Sequence, residues 1–260
     1  MIIKQIRNAT LIIEYNNTKI LIDPWLGPKD YMPGFDTAVN SNVNQPRVEL
    51  PSPVDEIVKN IDAVIVTHVH PDHWDEYAER ALDKNIKIFI QSEDDKKFMQ
   101  SKGFHNVEIL SPDGIEYNGF KMFKTPAQHG KREIIEPLCR QIGMPYASMG
   151  VVFKSDNEKT LYLAGDTIWC QEVEDTLNKF KPEIIIINAC GATVLNGERL
   201  IMDINDVNEL LQKTQDSTII ASHMDTVSHL TVTRNDLKNF VKTNNIKNLL
   251  IPEDGESISF

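Results

Sequence analysis

Short β-branched and aliphatic runs punctuate this chain, and they fall into two sets. Residues 2–22, 62–66 and 86–90 make the first; 119–125, 149–153, 160–164, 183–187, 217–221 and 247–251 make the second. Runs of this length, bounded by turn-forming residues, predict strands. Helical periodicity lies between them. Ser92-Glu93-Asp94-Asp95 opens one helix with a capping serine and an acidic first turn, and Gly103 closes it. The stretches 203–211 and 235–241 carry apolar residues at helical spacing. This order predicts an α+β fold: a four-layer αββα sandwich, two mixed sheets flanked by helices, in a single domain over residues 1–260.

Two stretches break the pattern. Residues 25–53 hold Trp25-Leu26-Gly27-Pro28, Tyr31-Met32-Pro33-Gly34-Phe35 and Pro51-Ser52-Pro53, a density of turn formers that excludes long regular structure. Their interleaved aromatics predict a packed lid. Residues 126–148, with Pro137, Gly143 and Pro145, read as a second long loop. Loops of this length in compact domains are commonly functional, so both are expected to border the active site.

The chemistry is concentrated where the run Ile61-Asp62-Ala63-Val64-Ile65-Val66 ends, in Thr67-His68-Val69-His70-Pro71-Asp72-His73-Trp74. The whole chain has 7 histidines, so three within this one turn is a steep local enrichment. A strand end delivers side chains into a cleft. Imidazole is the commonest metal ligand, and clustered imidazoliums would repel one another, so the cluster reads as a metal site. Three further strand-like runs each end on a ligand type: His129 after 119–125, Asp166 after 160–164 and His223 after 217–221.

The order HxHxDH, then His, Asp and His, resembles the metallo-β-lactamase superfamily, and the likeness runs over nearly the whole chain. The segments 6–15 and 20–25, with Ser222-His223-Met224-Asp225, His229 and Arg234, look more narrowly like its L-ascorbate-6-phosphate lactonase-like branch. The resemblance implies two divalent metal ions. His68, His70 and His129 would hold the first, Asp72, His73 and His223 the second, and Asp166 both. It further implies hydrolysis by a hydroxide shared between the ions, with Asp72 and Asp166 as the catalytic carboxylates. With one site filled, Asp72 would instead be free to act as a general base. The nitrogen-rich set suits zinc first, with manganese as the alternative that the lactonase-like branch implies. His70 stands where the flavodiiron branch has Glu, which disfavours redox chemistry.

Around the ligands, Asp23 and Asp75 are candidates to fix imidazole orientation from behind, and a turn or a helix cap is the alternative for either. His229, Arg234 and Lys131 are candidate contacts for a substrate anion. The expected substrate is accordingly a small, anionic, ester-like molecule, a lactone or a phosphodiester. Two other readings compete: a nuclease or RNA-processing enzyme of the same superfamily, and a non-catalytic metal-bound scaffold.

Composition narrows these. With 38 acidic and 27 basic residues the net charge is −11, which argues against a broad nucleic-acid surface. The three cysteines, Cys139, Cys170 and Cys190, form no CxxC pair or disulfide framework, so reduced thiols are expected, with Cys170 and Cys190 placed to border the cleft. No apolar run approaches the roughly 18 residues of a membrane span. The opening residues read as a strand rather than an export signal, so a cytoplasmic location is expected. Homo-oligomerisation is left open.

Overall fold

The computed structural model describes residues 1–260. In chain order its elements are β1 (Ile2–Arg7), β2 (Thr10–Tyr15), β3 (Thr18–Ile22), α1 (Val54–Ile57), β4 (Ala63–Ile65), α2 (Glu76–Ala81), β5 (Lys87–Ile90), α3 (Glu93–Ser101) and β6 (Val107–Ile109). The second half holds β7 (Ile115–Tyr117), β8 (Phe120–Pro126), α4 (Arg132–Gln141), β9 (Met149–Lys154), β10 (Leu161–Leu163), α5 (Gln171–Phe180), β11 (Ile184–Asn188), α6 (Ile204–Lys213), β12 (Thr218–Ser222), α7 (Arg234–Thr243), β13 (Leu249–Leu250) and β14 (Ser257–Ser259).

The strands form two 7-stranded sheets, ordered β14-β1-β2-β3-β4-β5-β6 and β13-β12-β11-β10-β9-β8-β7. Each half pairs its early strands antiparallel and its later ones parallel, so the two sheets repeat one plan. The two sets of apolar runs thus correspond to the two sheets. Strand β14 departs from the plan by crossing back to pair with β1.

Alternation along the strands builds three apolar layers. Leu11, Ile13, Ile20, Ile22 and Ile65 of the first sheet meet Val151, Phe153, Leu163, Ile184 and Ile186 of the second in a shared core. The opposite face of the first sheet, with Leu21, Val64 and Ile88, packs against Ile57 of α1, Ala78 of α2 and Met99 of α3. The outer face of the second, with Val152, Tyr162, Ile185 and Ile219, packs on α5, α6 and α7 through Val173, Leu177, Val207, Leu210 and Leu237. This is the four-layer α+β sandwich.

Residues 25–53 contain no helix or strand and are held by isolated bridges such as Met32 to Gln45. The segment 126–148 is a correction, because α4 fills its middle. Its periodicity is real: Ile135 and Cys139, four residues apart, are buried against Val194. Pro137 masks it. A proline there removes one intrahelical bond, to the Glu133 carbonyl, which side-chain packing offsets.

Candidate metal centre

All seven candidate ligands lie in loops that follow strands, three of these strands having parallel neighbours and the fourth, β8, pairing antiparallel on both sides. His68, His70, Asp72 and His73 follow β4, His129 follows β8, Asp166 follows β10 and His223 follows β12. All seven are buried, none more than 6% exposed. Local backbone is specialised for this. Gly165 holds φ +69 directly before Asp166, and a Cβ there would sit 2.3 Å from the Met149 carbonyl oxygen, so only glycine fits. Asn8, Asp23 and His223 are non-glycine residues with φ of 55, 43 and 64. Each such residue costs about 1–3 kcal/mol and persists only where its surroundings enforce it.

The donor atoms fall into three overlapping groups, each within 4.8 Å: His68, His70 and His129; His68, His73 and Asp166; Asp72, His73 and His223. Asp166 Oδ2 lies 3.2 Å from His73 Nε2 and 3.8 Å from His68 Nε2. Asp72 Oδ2 lies 3.4 Å from His223 Nε2.

Each imidazole turns one nitrogen outward to a protein partner and so keeps the other for the cluster. His70 Nε2 meets the Pro145 carbonyl at 2.6 Å, His129 Nδ1 the Leu200 carbonyl at 3.1 Å, and His73 Nδ1 the Asp23 carboxylate at 2.9 Å. Thr67 Oγ1 is 3.2 Å from His68 Nδ1, and Cys190 Sγ is 3.5 Å from His223 Nδ1. The inward Nε2 of His68 is buried without any hydrogen-bond partner, and that of His73 faces only the carboxylates of Asp166 and Asp72, at 3.2 and 3.8 Å. Buried nitrogens are rarely left unpaired, and a cation is the partner that satisfies several at once. The donor set therefore fits divalent metal ions.

The charges agree. Burial pushes the Asp166 and Asp72 carboxyls up, but the facing His73 and His223 outweigh it and hold both below the usual range. Burial pushes His68 and His70 down, and pushes His129 down to about 4, so these three stay neutral. His73 goes the other way: Asp166, Asp23 and Asp72 outweigh burial and raise it from 6.5 to about 10. Without cations it therefore carries a proton at neutral pH. A histidine raised in this way stabilises the fold fully below pH 6.5 and loses that contribution as pH rises through about 10. Thermal melts of metal-free protein should accordingly show Tm falling across that window, with less decline once cations replace the proton. A flat profile for the metal-free protein would contradict this.

Asp23 supports the cluster from behind. Its Oδ1 accepts the Thr67 backbone N–H at 2.7 Å, and Oδ2 accepts the Thr67 hydroxyl at 2.7 Å while facing His73. Asp75 does not join it. It caps α2 through the Ala78 N–H and accepts the Gly27 N–H and the Tyr31 hydroxyl, tying the 25–53 loop to this helix.

Sequence reasoning missed Asn188, whose Nδ2 donates to Asp166 Oδ1 at 2.6 Å. It also missed Asn8, whose Nδ2 lies 3.2 Å from His223 Nε2 and donates to the Asp72 carbonyl at 3.1 Å. The signal for Asn188 was its place: it ends β11, between the strands that deliver Asp166 and His223, in register with Ser222. Alanine at Asp23 or Asn188 should weaken metal binding or turnover about 10- to 100-fold, measured by competition with a chromophoric chelator. Wild-type affinity in both variants would show that these contacts position nothing.

A pocket opens against His70, Asp72 and His129, lined by 14 residues of which 9 are hydrophobic, including Phe35, Ile135, Leu138 and Met144. Both long segments thus border it. His229 lines it too, but the other expected anion contacts do not. Arg234 lies instead in a carboxylate cluster, its Nη1 3.0 Å from Asp225 and its Nη2 2.7 Å from Asp254. Lys131, half exposed, pairs with Glu198 at 3.3 Å. Each cation has been neutralised by nearby acids that the acidic composition supplies.

No helix is long and apolar enough to cross a membrane. A family model described as the β-lactamase superfamily domain matches residues 18–224. UPF0173 protein YddR of Bacillus subtilis is 41% identical over 261 residues, covering 100% of both chains. Among solved structures, a possible metal-dependent hydrolase from Veillonella parvula superposes with a TM-score of 0.96 at 39% identity, covering 100% of this chain and 99% of that one. An isothiocyanate hydrolase from Delia radicum gut bacteria does so with a TM-score of 0.94 at 38% identity and the same coverage, 100% and 99%. Built on this fold and carrying this donor set, the chain belongs to the β-lactamase superfamily and, within it, to the UPF0173 family.

Proposed function

We propose that this chain is a metal-dependent hydrolase whose seven His and Asp donors hold two divalent cations, and that it acts on a small, neutral, apolar electrophile of the isothiocyanate type. One observation carries the substrate reading: the pocket against His70, Asp72 and His129 is mostly apolar, and the cations expected to greet an anion are paired elsewhere. The likeness to the isothiocyanate hydrolase supports it.

His68, His70 and His129 would hold one cation, Asp72, His73 and His223 the other, and Asp166 would touch both; zinc suits the nitrogen-rich set, with manganese as the alternative. Bound cations supply a water acidified to a pKa of about 7 and a Lewis acid for the bond under attack. The chain's own contribution is placement. Asn188 fixes the rotation of Asp166, Asp23 that of His73, and the Pro145 carbonyl that of His70. Phe35, Ile135 and Leu138 shield the site from bulk water and receive an aliphatic chain. Water adds across the C=N bond of R–N=C=S, the C–N bond then breaks, and a primary amine and carbonyl sulfide leave. The balance needs no oxidant or reductant.

A neutral lactone meets the same pocket without charge and is the nearest competitor. A phosphodiester, or the backbone of RNA, would bring a second anionic contact to a pocket whose wall, outside the donors, offers no Lys or Arg side chain. A scaffold role leaves the apolar pocket beside the donors without a purpose. The test is a panel of butyl isothiocyanate, a neutral γ-lactone and a phosphodiester with zinc-loaded and manganese-loaded protein. Butyl isothiocyanate should give the highest kcat/KM, with amine released one for one. Preference for the phosphodiester would sink the proposal.

A further inference from the structure

His229 is 3% exposed, lines the apolar pocket, and belongs to none of the three donor groups. Its Nδ1 is buried without a partner. The ring is nevertheless held firmly. Phe35 packs edge-on against it with centroids 5.4 Å apart, and its own carbonyl accepts the Thr193 N–H at 3.0 Å. The neighbouring Ser228 N–H is anchored to the Gln45 side chain at 3.1 Å, so the 25–53 loop and the loop after β11 together fix this corner.

A polar side chain that is buried, rigid and unpaired costs stability unless something else completes it. The imidazole itself lines the pocket, so a molecule held there meets this ring. Apart from the candidate ligands, the only other polar side chain on its wall is Thr37. Burial keeps the imidazole neutral, with one donor and one acceptor to offer. That suits an uncharged heteroatom better than an anion.

We propose that His229 is the substrate-positioning residue: its imidazole hydrogen-bonds a heteroatom of the N–C–S unit, while Phe35, Ile135, Leu138 and Met144 receive the carbon chain. This rests on the neutral-substrate reading above. The pairing would orient the electrophilic carbon toward the metal centre, so that recognition of the N–C–S unit belongs to one side chain and tolerance of chain length to the apolar wall.

N-butylthiourea, a neutral and unreactive molecule with the same N–C–S unit, is the probe. Calorimetric titration of zinc-loaded protein should show binding that weakens about tenfold or more in His229→Phe, while His229→Gln, which retains a donor, restores most of it. Zinc content should be unchanged in both variants. In wild-type protein carrying 15N-histidine, the His229 ring signal, identified by its contact with Phe35, should shift on addition of the probe; this readout does not depend on either variant folding. An unmoved ring signal, equal affinity in His229→Phe, or loss of zinc with the substitution would overturn the assignment of His229 alone. A wild-type protein that ignores butylthiourea and binds butyl phosphate would overturn the neutral-substrate reading, and this assignment with it.

Discussion

Replacing Asp166 with alanine should lower turnover by at least about 10³-fold and leave the protein folded but short of metal. The size of the effect follows from position. Asp166 is the one carboxylate facing His73 and His68 together, and its other oxygen is already engaged by Asn188. Its loss would leave two inward imidazole nitrogens with no anion between them, in a site whose neutral histidines were made neutral by burial. Metal content by mass spectrometry should fall with turnover, while circular dichroism stays native. A variant with full metal content and less than tenfold loss of rate would show that Asp166 is peripheral.

A second large effect is expected at a side chain that hydrogen-bonds to none of the donors. Arg7 is fully buried on β1, and its guanidinium donates to the carbonyls of Trp25 and Gly27, each at 2.8 Å, and of Val48 at 3.1 Å, while lying over the Trp25 ring. Burial lowers its pKa to about 10, so it remains charged at neutral pH. One side chain thus ties both ends of the 25–53 loop to the first sheet. Arg7→Met keeps volume but strands three carbonyls, and should cost about 3–5 kcal/mol, read as a lower urea midpoint at unchanged slope. Because Phe35, Thr37 and Ala38 reach the pocket from that loop, turnover should fall too. A loss under about 1 kcal/mol would mean that the loop is held by its own packing.

These two residues mark what the sequence does and does not make legible. A candidate ligand placed directly after an apolar run announces itself, because the run predicts a strand and the strand end predicts a cleft; Asp166 and the six others were singled out that way, and the fold brings their donor atoms into three close groups. Arg7, Asn8 and Asn188 act through neighbours that are near only in the folded chain. Asn8 meets His223 across 215 positions, and no local pattern carries that distance. Arg234 failed as an anion contact for the same reason, since its partners Asp225 and Asp254 come from the turn before α7 and the segment after β13. The loops divided similarly. Residues 25–53 are irregular because their turn formers act locally, whereas α4 forms despite Pro137 because Ile135 and Cys139 find Val194 to pack against.

The central claim is that these seven donors hold two cations on which hydrolysis depends. Its most direct measurement is metal per chain by mass spectrometry, taken at each step of a chelator titration alongside the rate of butyl isothiocyanate hydrolysis in the same samples. The account predicts two cations per chain at full rate, with the rate falling as they leave and returning on reloading. Full rate from protein stripped of metal would contradict it.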